Sequence, residues 1–234
     1  SGWLDVIVIG AHGAAGTTNN NTYTCGRGAK ITAKINVSEN DIIRIVVGQS
    51  GTENSDMGGG GGASYIYNET TSQLLIIAGG GGGSKKQIGG GDGHDANTEP
   101  GGITSYSLTT VHGSGYDNTT YSGFSTSNYS VVIAGDGGRR ASGGTWMDPI
   151  NAGDGGAGWN QEGEGDNRSS TSAQSLKSSA TGSYSGRGAD GGFGGGGDGS
   201  GYDYGGGGGG GYTGGNGGHE AGGGGSYIHS NSDL

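Results

Sequence analysis

Proline and cysteine are almost missing from this chain, with two of the first and one of the second in 234 residues. A lone cysteine, Cys25, excludes an internal disulfide framework and any cysteine-built zinc site. Its neighbours Tyr23 and Arg27 supply no polarising imidazole, so it reads as a bland, half-buried or surface thiol. The shortage of proline excludes collagen, which also needs glycine at every third position throughout. Basic residues are scarce as well: 11 Lys and Arg stand against 21 Asp and Glu, a net charge of −10. That balance argues against nucleic acid and anionic membranes as partners, because both reward basic patches. No apolar run approaches the roughly 18 residues of a transmembrane helix, so no direct membrane insertion is expected. No secretion leader is visible, and Ser1-Gly2 reads as a processed or engineered start. Hydrophobic residues make up only 28%, where ordinary domains, glycine included, have about 45–50%. Taken alone, that figure predicts disorder.

What is present instead is glycine, 64 residues of it, and apolar residues gathered into short strand-like runs. "WLDVIVI" (3–9) is the first of these. "AKITAKINV" (29–37) alternates Ile31, Ala33, Ile35 and Val37 with Lys30, Thr32, Lys34 and Asn36, the pattern of a half-buried strand. After the polar turn "SEND" comes "IIRIVVG" (42–48), and the two runs predict an antiparallel hairpin. "ASYIYN" (63–68) and "LLIIAG" (74–79), joined by "ETTSQ", predict another. "YSVVIAG" (129–135) and "SYIHS" (226–230) complete seven strands. No window carries sustained helical periodicity. The expected fold is therefore mainly β, an antiparallel sandwich or roll with almost no α-helix.

Glycine tracts separate the strands, and several keep a three-residue step. Gly10, Gly13 and Gly16 keep it, as do Gly188, Gly191, Gly194 and Gly197, and Gly205, Gly208, Gly211, Gly214 and Gly217. A left-handed helix of the polyproline II or polyglycine II kind has three residues per turn. Glycine on two of its faces lets neighbouring helices approach and hydrogen-bond backbone to backbone. The tracts thus predict an inserted bundle of polyglycine II-type helices, with a flexible linker as the competing reading. The expected organisation is a single domain, 1–234. Residues 1–78 and 226–230 supply most strands and 79–225 most of the bundle. Polar, Tyr-bearing insertions fall at 94–128 and 160–185, with a further strand near 129–135.

Three motifs invite a chemical reading and fail it. "GAHGAAG" (10–16) follows a strand as a dinucleotide fingerprint does, and Glu39 lies at about the right distance. That fingerprint must open a helix, and "TTNNNTYTCGRG" is not helical. "GGGGGSKK" (79–86) interposes Ser84 between Gly83 and Lys85, and so breaks a phosphate-binding loop. "GGDGHD" (90–95) opens like a calcium-binding nonapeptide. It occurs once, with Asn97 where an apolar residue should stand, leaving Asp92 and Asp95 as the residues that would hold calcium. The five histidines have no metal spacing and no nucleophile–base pair is legible, so neither cofactor nor enzymatic activity is expected. Six Asn-x-Ser/Thr sequons, at Asn20, Asn36, Asn68, Asn118, Asn128 and Asn167, fit an extracellular surface.

The whole pattern resembles a known family. "GAHGAAG", "ITAKINVSENDIIRIVVGQSG", "GGGGGASYIYNETTSQLLIIAGGGGG" and "GGGGSYIHS" resemble the glycine-rich extracellular region of the anaplastic lymphoma kinase and leukocyte tyrosine kinase receptors and related glycine-rich proteins. The most specific stretches are Val47–Gly51, Gly59–Tyr65 and "LLIIAGGGG" at 74–82. The resemblance implies a tumour-necrosis-factor-like (TNF-like) β-sandwich with an inserted glycine-helix bundle, and the binding of small protein ligands outside the cell. The receptor regions carry disulfides, and this chain departs from them there. The function expected is a non-enzymatic recognition or adhesion domain at a cell or virion surface, binding a protein ligand or a cell-surface glycan. Tyr106, Tyr116, Tyr121, Tyr202, Tyr204 and Tyr212 are the candidate contact residues, because tyrosine gives large contact area at low entropic cost. The alternative is a self-associating structural subunit of a surface filament, a coat or a phage tail-fibre tip.

Overall fold

A computed structural model describes residues 1–16, 24–54, 56–85, 92–96, 153–165, 171–186, 188–199, 205–218 and 221–229. Among them no α-helix occurs, and the regular elements are antiparallel strands. β1 (Gly2–Ile9) pairs with β2 (Lys30–Val37) along its whole length. β3 (Ile43–Val46), β4 (Ser64–Asn68), β5 (Gln73–Ala78) and β6 (Tyr227–Ile228) form a second sheet in that spatial order. The strand expected near 129–135 lies outside the described residues.

The hairpin expected between 29–37 and 42–48 does not form. β2 belongs to one sheet and β3 to the other, so "SEND" is a corner between sheets. Its chemistry explains the turn away. Asn40 takes a left-handed φ of 69°, and one Asp41 carboxylate oxygen accepts from both the Ser38 amide and the Asn68 side chain on β4. The Ile42 amide then donates to the Thr70 hydroxyl, and Glu69 donates back to the Ile42 carbonyl. These bonds deliver β3 onto β4. The β4–β5 hairpin forms as expected, with a bulge that skips Leu75 in the register.

Two apolar clusters hold the strands. In one, Val8, Ile31, Ala33 and Ile35 of the first sheet meet Ile66, Leu75, Ile76 and Ala78 of the second. The inward half of the alternation in β2 is thus buried as expected. The second cluster covers the other face of β4 and β5. Tyr65, Leu74 and Ile77 pack there against Trp159, Leu176 and Ala180, which come from the glycine-rich region of the chain. A sheet covered on both faces explains why β4 and β5 are almost continuously buried.

Candidate functional site

The glycine tracts are bonded to their neighbours mainly through backbone, and the bonds repeat every third residue. In 58–63, Gly58 and Gly61 donate to Ser84 and Gly81, Gly59 and Gly62 to Thr52 and Gln49, and Gly60 and Ala63 to Gly197 and Gly194. One tract therefore faces three neighbours in turn. The segment 207–212 does the same: Gly207 and Gly210 donate to Gly58 and Gly61, Gly208 and Gly211 to Asp154 and Ala157, and Gly209 and Tyr212 to Gly222 and Gly225. These bonds measure 2.8–3.1 Å, ordinary for N–H···O. They account for backbone polar groups that a buried, non-helical chain would otherwise leave unpaired.

Such proximity leaves no room for side chains. A β-carbon on Gly10 would strike the Gly79 carbonyl and one on Gly13 the Gly82 carbonyl, while Gly16 abuts Met57 and Asp56. Gly188, Gly191, Gly194 and Gly197 face Gly199, Gly196, Ala63 and Asp154 in the same manner. Gly208, Gly211 and Gly217 meet Gly215, Gly225 and Gly153, and Gly205 and Gly214 are buried.

Asp92 and Asp95 are turned to the same lattice. Each carboxylate accepts a backbone bond, Asp92 from the Thr24 amide and Asp95 from the Arg27 amide, both at 2.6 Å. Meanwhile Gly93 and Ala96 donate to the Thr24 and Arg27 carbonyls. The two carboxylates therefore clamp one neighbouring segment in a three-residue step. Among the described residues no group of three or more His, Cys, Asp and Glu could hold a metal. Burial pushes the Cys25 thiol above its ordinary pKa and the Asp95 carboxylate adds to this, against a backbone hydrogen bond that lowers it.

Of the candidate tyrosines only Tyr212 is described; Tyr106, Tyr116, Tyr121, Tyr202 and Tyr204 lie outside the described residues. Tyr212 is half-buried and stacks on Tyr227, ring centroids 4.6 Å apart. Nearby, Trp159 packs edge-on to Tyr65 at 5.5 Å and tilted against Tyr67 at 5.6 Å. The Tyr65 hydroxyl donates to the Leu176 carbonyl. Spacing along the chain gives no sign of this aromatic cluster, because it joins β4, β6 and two glycine-tract segments. Among the described residues, exposed aromatic side chains are found instead at Trp3, Tyr184 and Phe193.

Of the sequons, Asn36 is exposed on β2, whereas Asn68 is 3% exposed. The Asn68 amide donates to Asp41 and its oxygen accepts from Thr71, so the folded strand has no room for a glycan there. Asn20, Asn118, Asn128 and Asn167 lie outside the described residues.

One pairing was not legible in the sequence. His12 Nε2 lies 3.0 Å from the Ser50 hydroxyl, and its Nδ1 lies 2.6 Å from the Gly13 carbonyl. That carbonyl can only accept, so Nδ1 carries a proton. Both residues are exposed, and the contact ties the tract 10–16 to the segment that carries Ser50. No helix among the described residues is long and apolar enough to cross a membrane. Comparison of the chain with known protein families and with curated proteins gave no match.

Proposed function

We propose that this chain is a non-enzymatic extracellular recognition or adhesion domain, which binds a protein ligand or a cell-surface glycan through side chains carried on a glycine scaffold. The observation that supports this reading is the three-residue step of the backbone bonds in 58–63 and 207–212. It is the bonding expected of polyglycine II-type helices packed side by side. Such a scaffold uses its interior mainly on backbone, so specificity must reside in what projects from it. Two sheets that contribute to one apolar cluster favour a TNF-like sandwich as the other half of the domain. Together they support kinship with the glycine-rich extracellular region of the anaplastic lymphoma kinase and leukocyte tyrosine kinase receptors.

The test is binding by the whole chain to glycan arrays and to cells, beside a variant with Tyr106, Tyr116, Tyr121, Tyr202 and Tyr204 all changed to Ser. Saturable binding lost in the variant supports the reading. Binding that survives the variant unchanged moves the contact elsewhere, and no binding on any surface sinks it. A surface-filament or coat subunit is the second reading, favoured by Ile45 and Val47, which stand 67% and 69% exposed on or beside the edge strand β3. Light scattering separates the two: a monomer at high concentration excludes the subunit.

A further inference from the structure

The outer face of the first sheet breaks the rule that its partner strand keeps. β2 presents Lys30, Thr32, Lys34 and Asn36 outward, as a solvated face should. β1 presents Trp3, Asp5, Ile7 and Ile9, and Trp3, Ile7 and Ile9 are 52%, 63% and 54% exposed. Three large apolar side chains on one strand face form an uncovered strip of the kind that marks a contact surface. The register places Trp3 directly opposite Asn36, beside the Asp5–Lys34 ion pair. Directly opposed residues have β-carbons about 4.5–5.5 Å apart, within reach of an indole ring.

Asn36 opens the sequon Asn36-Val37-Ser38, and its side chain is exposed. We infer that Asn36 carries an N-linked glycan whose proximal sugar lies on Trp3 and shields the apolar strip of β1. A pyranose presents a face of C–H groups, slightly positive, that suits the negative face of an aromatic ring. In the transfer, Asn36 Nδ2 attacks the anomeric carbon of a lipid-diphosphate-linked oligosaccharide. The C1–Nδ2 bond forms, the C1–O bond to the diphosphate breaks, Nδ2 gives up one proton, and the lipid diphosphate leaves. The inference rests on the extracellular reading, since the donor is met only on the secretory route.

The whole chain, secreted from a glycosylating eukaryotic host behind an appended leader, tests it. Glycopeptide mapping should find Asn36 occupied, and Asn36→Gln or Ser38→Ala should abolish that glycan. Proton spectra should show the proximal sugar shifted upfield by the indole, with the shift lost in Trp3→Ala while the glycan stays. Either sequon variant should also bind more of a hydrophobic dye. An unmodified Asn36, beside a modified sequon reporter secreted by the same cells, overturns the site. A glycan without the Trp3-dependent shift overturns the shielding. Because the leader imposes secretion, neither result bears on where the native chain resides, which surface labelling of source cells reads separately.

Discussion

At the scale of single residues the glycines fall into kinds that alanine substitution tells apart. At Gly13 a β-carbon would overlap the Gly82 carbonyl. Gly13→Ala must therefore push bonded tracts away from each other, and is expected to cost about 3 kcal/mol, the upper end of overpacking. Gly186 has a φ of 64° with only the Tyr184 ring near, at 3.6 Å. Gly186→Ala meets the left-handed penalty alone, about 1–2 kcal/mol. At Gly2 nothing lies within 4 Å, and alanine there should be neutral or gain roughly 0.5 kcal/mol. Urea midpoints read this order, and equal costs at the three positions would refute close packing as the reason for glycine. Cys25 gives a second residue-scale test. With its pKa raised, the thiol stays protonated at neutral pH. Alkylation should lag behind that of free cysteine near pH 8 and recover only as pH rises past the ordinary value of about 8.5. A rate profile with its midpoint at or below that value would contradict the burial.

At the scale of elements, the contact between the second sheet and the glycine tracts rests on aromatic side chains. Trp159→Ala should cost about 3–5 kcal/mol, as large buried truncations do, because it empties the space over Tyr65 and Tyr67. Burial raises the pKa of Tyr65, Tyr212 and Tyr227. A raised folded value means the folded state disfavours the phenolate. The stability from these groups is complete below the unfolded tyrosine pKa, about 10, and is lost as pH climbs above it. Urea midpoints should fall above about pH 10, and less steeply in Tyr65→Phe. That variant should also lose about 1 kcal/mol at neutral pH, where the Leu176 carbonyl forfeits its donor. An alkaline slope equal to wild type would show that Tyr65 ionises as freely folded as unfolded. Individual strands were legible in the sequence because alternation and β-branched runs are local. The β4–β5 hairpin was legible for the same reason, its turn being encoded between its strands. The partner of β3 was not, since Asp41 binds Asn68 across 27 positions and no window of sequence holds both. Trp159 was invisible as a core residue in the same way, as the glycines before it and the polar run Asn160–Glu162 after it carry no apolar pattern.

At the scale of the whole molecule, the three-residue step of Gly10, Gly13 and Gly16 was plain in the sequence, yet the tract facing it was not. Every glycine tract offers the same backbone, so composition cannot say that Gly13 meets Gly82 and not Gly208. Partners are selected by the tether lengths and by the few side chains at tract ends, such as Ser84 on Gly16 and Ser226 on Gly79. A chain with so little apolar surface must then draw much of its order from backbone bonds, each worth about 0.5–1.5 kcal/mol net, and that has a measurable consequence. In 58–63 all six amides donate to other tracts, although the segment belongs to neither sheet. Hydrogen exchange should therefore protect 58–63, 80–84 and 207–212 as strongly as β4 and β5, and these segments should open together, because each bonds to the others. Gly13→Ala, at one corner of the lattice, should then raise exchange across all three segments and not only beside residue 13. Protection confined to the strands, with loop-like exchange in the tracts, would mean that the glycines do not hold the molecule together.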